Sequence, residues 1–174
     1  MITVLTGGAR SGKSAHAVEL GRRHRGEVLF VATAPPLDGD MEERIARHRA
    51  ERPAWPTLEE PHELSTAIRR SGAGALVIVD CLTLWVSNLM WRGDSDGDVE
   101  AAAHVLADDL RSASADVVLV TNEVGLGVHP ETELGRRYRD LLGRVNQIVV
   151  AASDRVLFMV SGRALALTDP DRVS

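Results

Sequence analysis

The sequence predicts a single-domain α/β fold, with a mostly parallel sheet covered by helices on both faces. Three observations carry this. Short β-branched, apolar runs alternate with longer segments of helical spacing from end to end. Polar or acidic residues, namely the loop after Thr6, Thr33, Asp80 and Thr121-Asn122-Glu123, all stand where those runs end. In a parallel sheet with right-handed crossovers, that is the edge where ligands bind. Over its 174 residues the chain shows no internal repeat, low-complexity tract or linker, so residues 1–174 read as one domain.

The elements follow in order. Ile2-Thr3-Val4-Leu5-Thr6 reads as a buried strand, and Lys13 to Arg25, free of proline, as a helix that can bury Ala17, Val18 and Leu20. Glu27 to Thr33 is a second strand, ended by Pro35-Pro36. Asp38 or Asp40 can cap a helix to Ala50 whose apolar positions are only Met41, Ile45 and Ala46, so it lies on a surface or at an interface. Arg52-Pro53-Ala54-Trp55-Pro56 is a stiff extended connection, and Glu63 to Arg70 a third helix. A strand over Ala75 to Asp80 leads into a very apolar helix over Cys81 to Met90. Arg92 to Asp98 (RGDSDGD) reads as a mobile loop, and Val99 to Ala113 as a helix. Val117 to Thr121 is a strand, and Glu131 to Ala152 a helix with three- and four-residue apolar steps from Leu134 to Val149. Arg155 to Ser161 is the last strand; no element is assigned beyond Gly162.

Composition narrows the function. Hydrophobic residues make up 44% and charged residues 26%, ordinary for a soluble globular chain; at 3% aromatic, the core must rest on Val, Leu, Ile and Ala. A net charge of −5 speaks against a nucleic-acid platform. The lone Cys81 excludes an internal disulfide or a multi-cysteine metal cluster. No apolar run approaches the roughly 18 residues of a membrane span. Met1 leads straight into the first strand without a leader pattern, so the expected location is the cytoplasm.

Gly7-Gly8-Ala9-Arg10-Ser11-Gly12-Lys13-Ser14 fits G-x-x-x-x-G-K-[ST], between a strand and a helix as a phosphate-binding loop requires. Its glycines let backbone N–H groups converge on a phosphate. Lys13 would reach the β/γ-oxygens, Ser14 would ligate Mg²⁺, and the helix start adds its positive dipole end. Asp80 either orients Mg²⁺ or its water, or caps the next helix. Glu123 is a metal-water ligand, a base, or simply part of the turn at Val124-Gly125-Leu126-Gly127. His16, His24 and His104 read as surface or half-buried imidazoles. His48 stands among Arg44, Arg47, Arg49 and Arg52. Those cations would keep an imidazole neutral and attract a triphosphate, yet the same run also reads as a solvated basic face.

GGARSGKS, RIARHRAERPAW, the Asp80 strand followed by CLTLWVSNL, and VTNEVGLGVHPE followed by GRVNQ occur together in this order. The combination resembles the bifunctional adenosylcobinamide kinase/adenosylcobinamide-phosphate guanylyltransferases of cobalamin biosynthesis, from about Met1 to Gly162. The resemblance implies a RecA-like phosphate-loop fold and two reactions. ATP or GTP phosphorylates the aminopropanol hydroxyl of adenosylcobinamide, and GTP then donates GMP to that phosphate through a GMP–histidine intermediate. By motif position His48 would carry GMP. Nucleotide contacts would fall on Gly7, Gly8, Ala9, Arg10, Ser11, Gly12, Lys13 and Ser14, on Ala32, Thr33 and Ala34, on Arg49, Ala50, Glu51 and Arg52, and on Glu59 and Asp80. A homotrimer is also implied. Rival readings are a kinase without guanylyl transfer, a GTP-dependent switch, which would need an N/T-K-x-D run the sequence lacks, and a RecA-like motor, for which basic surface and length are wanting.

Overall fold

The computed structural model describes residues 1–34 and 52–169. The helix expected up to Ala50 lies outside them.

Seven strands form one sheet in the order β3-β2-β4-β5-β1-β6-β7. They are β1 (Ile2–Gly7), β2 (Val28–Ala32), β3 (Thr57–Glu59), β4 (Leu76–Asp80), β5 (Asp116–Val120), β6 (Arg155–Val160) and β7 (Arg163–Leu167). All neighbours pair in parallel except β6 with β7, which form an antiparallel hairpin. The described helices are α1 (Lys13–Arg23), α2 (Leu64–Arg70), α3 (Leu82–Arg92), α4 (Asp96–Ser112) and α5 (Glu133–Val150). The expected α/β architecture is therefore present, with each boundary within a few residues of the sequence reading.

Strand alternation sorts the core into two layers. Ile2 and Val4, Val77 and Val79, and Val117 and Leu119 face one side, where Leu82, Trp85, Leu106, Leu110, Leu141 and Val145 of α3, α4 and α5 cover them. Leu5, Phe30, Ile78 and Val118 face the other, covered among the described residues by Ala17 and Leu20 of α1 and by Trp55. Central strands buried on both faces explain why runs such as LVIV carry no polar alternation.

Three expectations are corrected. The segment over Arg92 to Asp98 is not a loose loop. α3 runs on to Arg92, and α4 starts at Asp96 behind a capping box: Ser95 Oγ accepts the Asp98 N–H, and Asp98 Oδ2 accepts the Ser95 N–H. Its charges are also matched across the helix pair, Asp96 meeting Arg137 and Arg144, and Glu100 meeting Arg144. Such half-exposed ion pairs contribute only about 0–1 kcal/mol each. The apolar seam of Val99, Ala103, Leu106 and Leu110 against Leu141, Leu142, Val145 and Val149 supplies the adhesion, and the charges set the register. Second, the chain beyond Gly162 forms β7, turned back through Ser161 and Gly162, both at positive φ as suits a two-residue hairpin. Third, Leu134 does not join the buried stripe of α5; it is 61% exposed, one turn before the helix reaches its partners.

Ser95→Ala removes the oxygen that caps α4 and should lower unfolding free energy by about 1 kcal/mol. A reduced urea midpoint with unchanged slope is the expected readout.

Candidate nucleotide site

The sheet delivers its chemistry at the carboxyl ends of β1, β2, β4 and β5. β1 ends at Gly7, whose φ of 139° and whose distance to the neighbouring strand both require glycine. A Cβ there would lie 2.3 Å from the Met159 carbonyl oxygen. Arg10 and Gly12 also take positive φ as the loop turns into α1. The loop is supported from the hairpin: the Gly162 N–H donates to the Ser11 carbonyl at 2.9 Å, and a Cβ on Gly12 would meet Gly162 Cα at 3.2 Å.

Lys13 is buried and folded back over the loop. Its Nζ donates to the Gly7 carbonyl at 2.9 Å, the Gly8 carbonyl at 2.6 Å and Ser11 Oγ at 3.3 Å. Burial lowers its pKa, while the Cys81 and Asp80 side chains oppose that shift electrostatically. The ammonium thus sits within the electrostatic reach of Asp80, the last residue of β4. Beside it, Thr33 bridges two strand ends. Its Oγ1 accepts the Cys81 N–H at 2.7 Å and donates to the Cys81 carbonyl at 2.8 Å, and its own N–H donates to the Asp80 carbonyl. Asn88 of α3 clamps the same corner by donating to the Thr33 and Pro61 carbonyls. Burial, then the Asp80 charge, pushes the Cys81 thiol up to about 11, which disfavours the thiolate form.

The structure brings together Gly7 to Ser14, Ala32, Thr33, Ala34 and Asp80. Glu59 ends β3 in register with Ala32 and is exposed. Arg52 sits lower, its guanidinium 3.8 Å from the Phe30 ring centroid and donating to Thr57 Oγ1. His48, Arg49, Ala50 and Glu51 lie outside the described residues. Sequence reasoning missed Asn88, Asn146 and Thr83 as supports. Asn146 of α5 accepts from Thr121 Oγ1 and donates to the Asn122 carbonyl, while Thr83 Oγ1 accepts the Asn122 N–H. The signal for Asn146 was available, since a polar residue interrupts the apolar face of α5.

A glycine loop between strand and helix, a buried lysine folded onto it and an acidic strand end nearby define a phosphate-loop nucleoside triphosphate enzyme. Residues 3–167 match the family described as cobinamide kinase / cobinamide phosphate guanyltransferase, and the chain belongs to it. It is 44% identical over 172 residues to the bifunctional adenosylcobalamin biosynthesis protein CobP of Pseudomonas aeruginosa, covering 96% of this chain and 97% of that one. It is 42% identical over 176 residues to the bifunctional adenosylcobalamin biosynthesis protein CobU of Salmonella typhimurium, covering 93% and 97%. Among solved structures, an ATPase of a bacterial type III secretion system superposes with a TM-score of 0.59 at 11% identity, over 98% of this chain and 59% of that one. That likeness concerns the fold alone.

Gly7→Ala should displace β1 from β6 at a cost on the order of 1–3 kcal/mol and weaken binding of a non-hydrolysable triphosphate. Calorimetric titration alongside a thermal melt checks both. Gly8→Ala, where an added Cβ meets nothing within 4 Å, should melt near the wild-type temperature.

Proposed function

We propose that this chain phosphorylates the aminopropanol hydroxyl of adenosylcobinamide with ATP or GTP. It then transfers GMP from GTP to the new phosphate, giving adenosylcobinamide-GDP and pyrophosphate. The supporting observation is membership of the kinase/guanyltransferase family over residues 3–167, on a fold whose phosphate loop is complete.

Lys13 would release its loop carbonyls to the β/γ-oxygens when a triphosphate enters, exchanging neutral acceptors for charged ones. The amides of Gly8 to Ser14 would hold the same phosphates at the start of α1. Ala32, Thr33 and Ala34, with Arg49, Ala50, Glu51, Arg52 and Glu59, are the proposed further nucleotide contacts. The Ser14 hydroxyl and Asp80 carboxylate are hard oxygen donors, the type Mg²⁺ takes when phosphates and water complete its shell, and they are proposed to hold it. Bound there, Mg²⁺ would neutralise charge on the phosphates in both reactions.

In the second reaction a neutral His48 imidazole attacks the α-phosphorus of GTP. The bond from that phosphorus to the bridging oxygen breaks and pyrophosphate leaves with the electron pair. A phosphate oxygen of the acceptor then displaces the imidazole, which divides one hard transfer into two easier ones. A homotrimer in the cytoplasm, supplied by cellular triphosphates, completes the reading. No described helix is long and apolar enough to cross a membrane.

Intact mass after incubation with GTP and Mg²⁺ should show one added GMP, stable to base and lost in mild acid. His48→Ala should abolish the adduct while triphosphate binding persists; an adduct on that variant overturns the histidine assignment. Lys13→Ala should depress both reactions, each by roughly 2–4 kcal/mol of transition-state stabilisation, in coupled assays of nucleoside diphosphate and pyrophosphate release.

A further inference from the structure

The strand order places β5 between β1 and β4, so the chain leaving β5 emerges between the phosphate loop and Asp80. Its first three residues are each pinned by a different neighbour. Thr121 is held by Asn146, the Asn122 N–H by Thr83, and the Glu123 N–H by the Gly7 carbonyl at 3.1 Å. That carbonyl is the one to which Lys13 Nζ donates, so a single loop oxygen joins the cation to the backbone of the acid.

The Glu123 side chain is not consumed by structure. It precedes the short 3₁₀ turn Val124–Leu126 but makes no side-chain cap bond to it, so the turn does not explain the carboxylate. Its Oε2 accepts a long bond, 3.5 Å, from Thr6 Oγ1. Among the described residues Oε1 accepts no hydrogen bond, and the carboxylate forms no ion pair with any of them. The residue is half-buried and lines one end of a groove of about 740 Å³ between α5 and the β6–β7 hairpin. The groove gives the carboxylate an open side from which a bulky acceptor can present a hydroxyl.

We propose that Glu123 is the general base of the phosphoryl-transfer reaction. The inference rests on the kinase reading above and adds a residue to it. The acceptor oxygen forms a bond to the γ-phosphorus as the bond from that phosphorus to its bridging oxygen breaks. The nucleoside diphosphate leaves with the electron pair, and the hydroxyl proton passes to Glu123 and then to solvent. Thr6 holds one oxygen, leaving the other for the proton. A positioned general base contributes typically about 10²–10⁴-fold.

The test is steady-state cobinamide phosphorylation by wild type, Glu123→Gln and Glu123→Asp across pH, with thermal melts of each. Glu123→Gln keeps the side-chain shape and an acceptor for Thr6. Its kcat should fall about 10²–10⁴-fold with KM for the triphosphate held and the melt unchanged. The acid limb of the wild-type kcat profile, produced as a carboxylate base protonates, should disappear. Glu123→Asp should recover part of the lost rate and the acid limb with it. A Gln variant near wild-type rate, or one whose loss tracks a lower melting temperature with the acid limb intact, overturns the base. Wild-type protein that transfers no phosphate to cobinamide overturns the functional reading and the base together, a result separable from the other two.

Discussion

Everything at the nucleotide site depends on how closely Gly7 approaches β6. Parallel pairing sets Gly7 opposite Met159, with no space for a side chain between them. The loop therefore leaves the sheet at its centre, with its carbonyls turned inward. The Gly7 carbonyl then collects the Lys13 ammonium from one side and the Glu123 amide from the other. A loop displaced by one methyl group would lose both partners, since a hydrogen bond weakens steeply as its distance and angle depart from ideal.

The corner of Thr33, Asp80 and Cys81 shows the same economy in a second form. Thr33 uses its hydroxyl as acceptor from the N–H and donor to the carbonyl of the same residue, Cys81, and Asn88 closes the outside. Buried polar groups satisfied in this way hold backbone in place, because any rearrangement leaves a donor or acceptor unpaired at about 1–3 kcal/mol. No buried side-chain nitrogen or oxygen among the described residues lacks a partner. Rigidity of the scaffold around the phosphate loop follows from this satisfaction as much as from packing.

The alternation of elements and the glycine loop were legible because both are local: a strand, a turn and a helix each declare themselves within a dozen residues. What escaped was non-local. The RGDSDGD stretch is polar and glycine-bearing, yet Ser95 and Asp98 within it cap α4, and the apolar seam that holds that helix lies on α5, some forty residues further on, where Arg137 and Arg144 meet Asp96 and set the register. Thr57–Glu59 is too short to show a period and exists as a strand because β2 offers it an edge. β7 carries no strand-like polarity, though the Ser161-Gly162 pair was a hairpin signal that could have been read. At the site, the phosphate loop, Asp80 and Glu123 were visible by residue type. The carbonyl that links Lys13 to Glu123 was not, because it depends on which strand lies beside β1.

The contact between Gly162 and Ser11 has a consequence for the order in which the molecule comes into being. Synthesis delivers the glycine loop about 150 residues before the hairpin that braces it. β1 likewise waits for β5 and β6, which flank it from the far end of the sequence. Until those strands arrive, a nascent chain holds the recognition motif without the wall behind it. Such late pairing of distant segments is slow, because the intervening chain has to be closed before its contacts reward it. The phosphate loop is thus made well before it becomes competent, and a chain stalled on the ribosome before β6 carries that loop without the Met159 and Gly162 backbone that braces it.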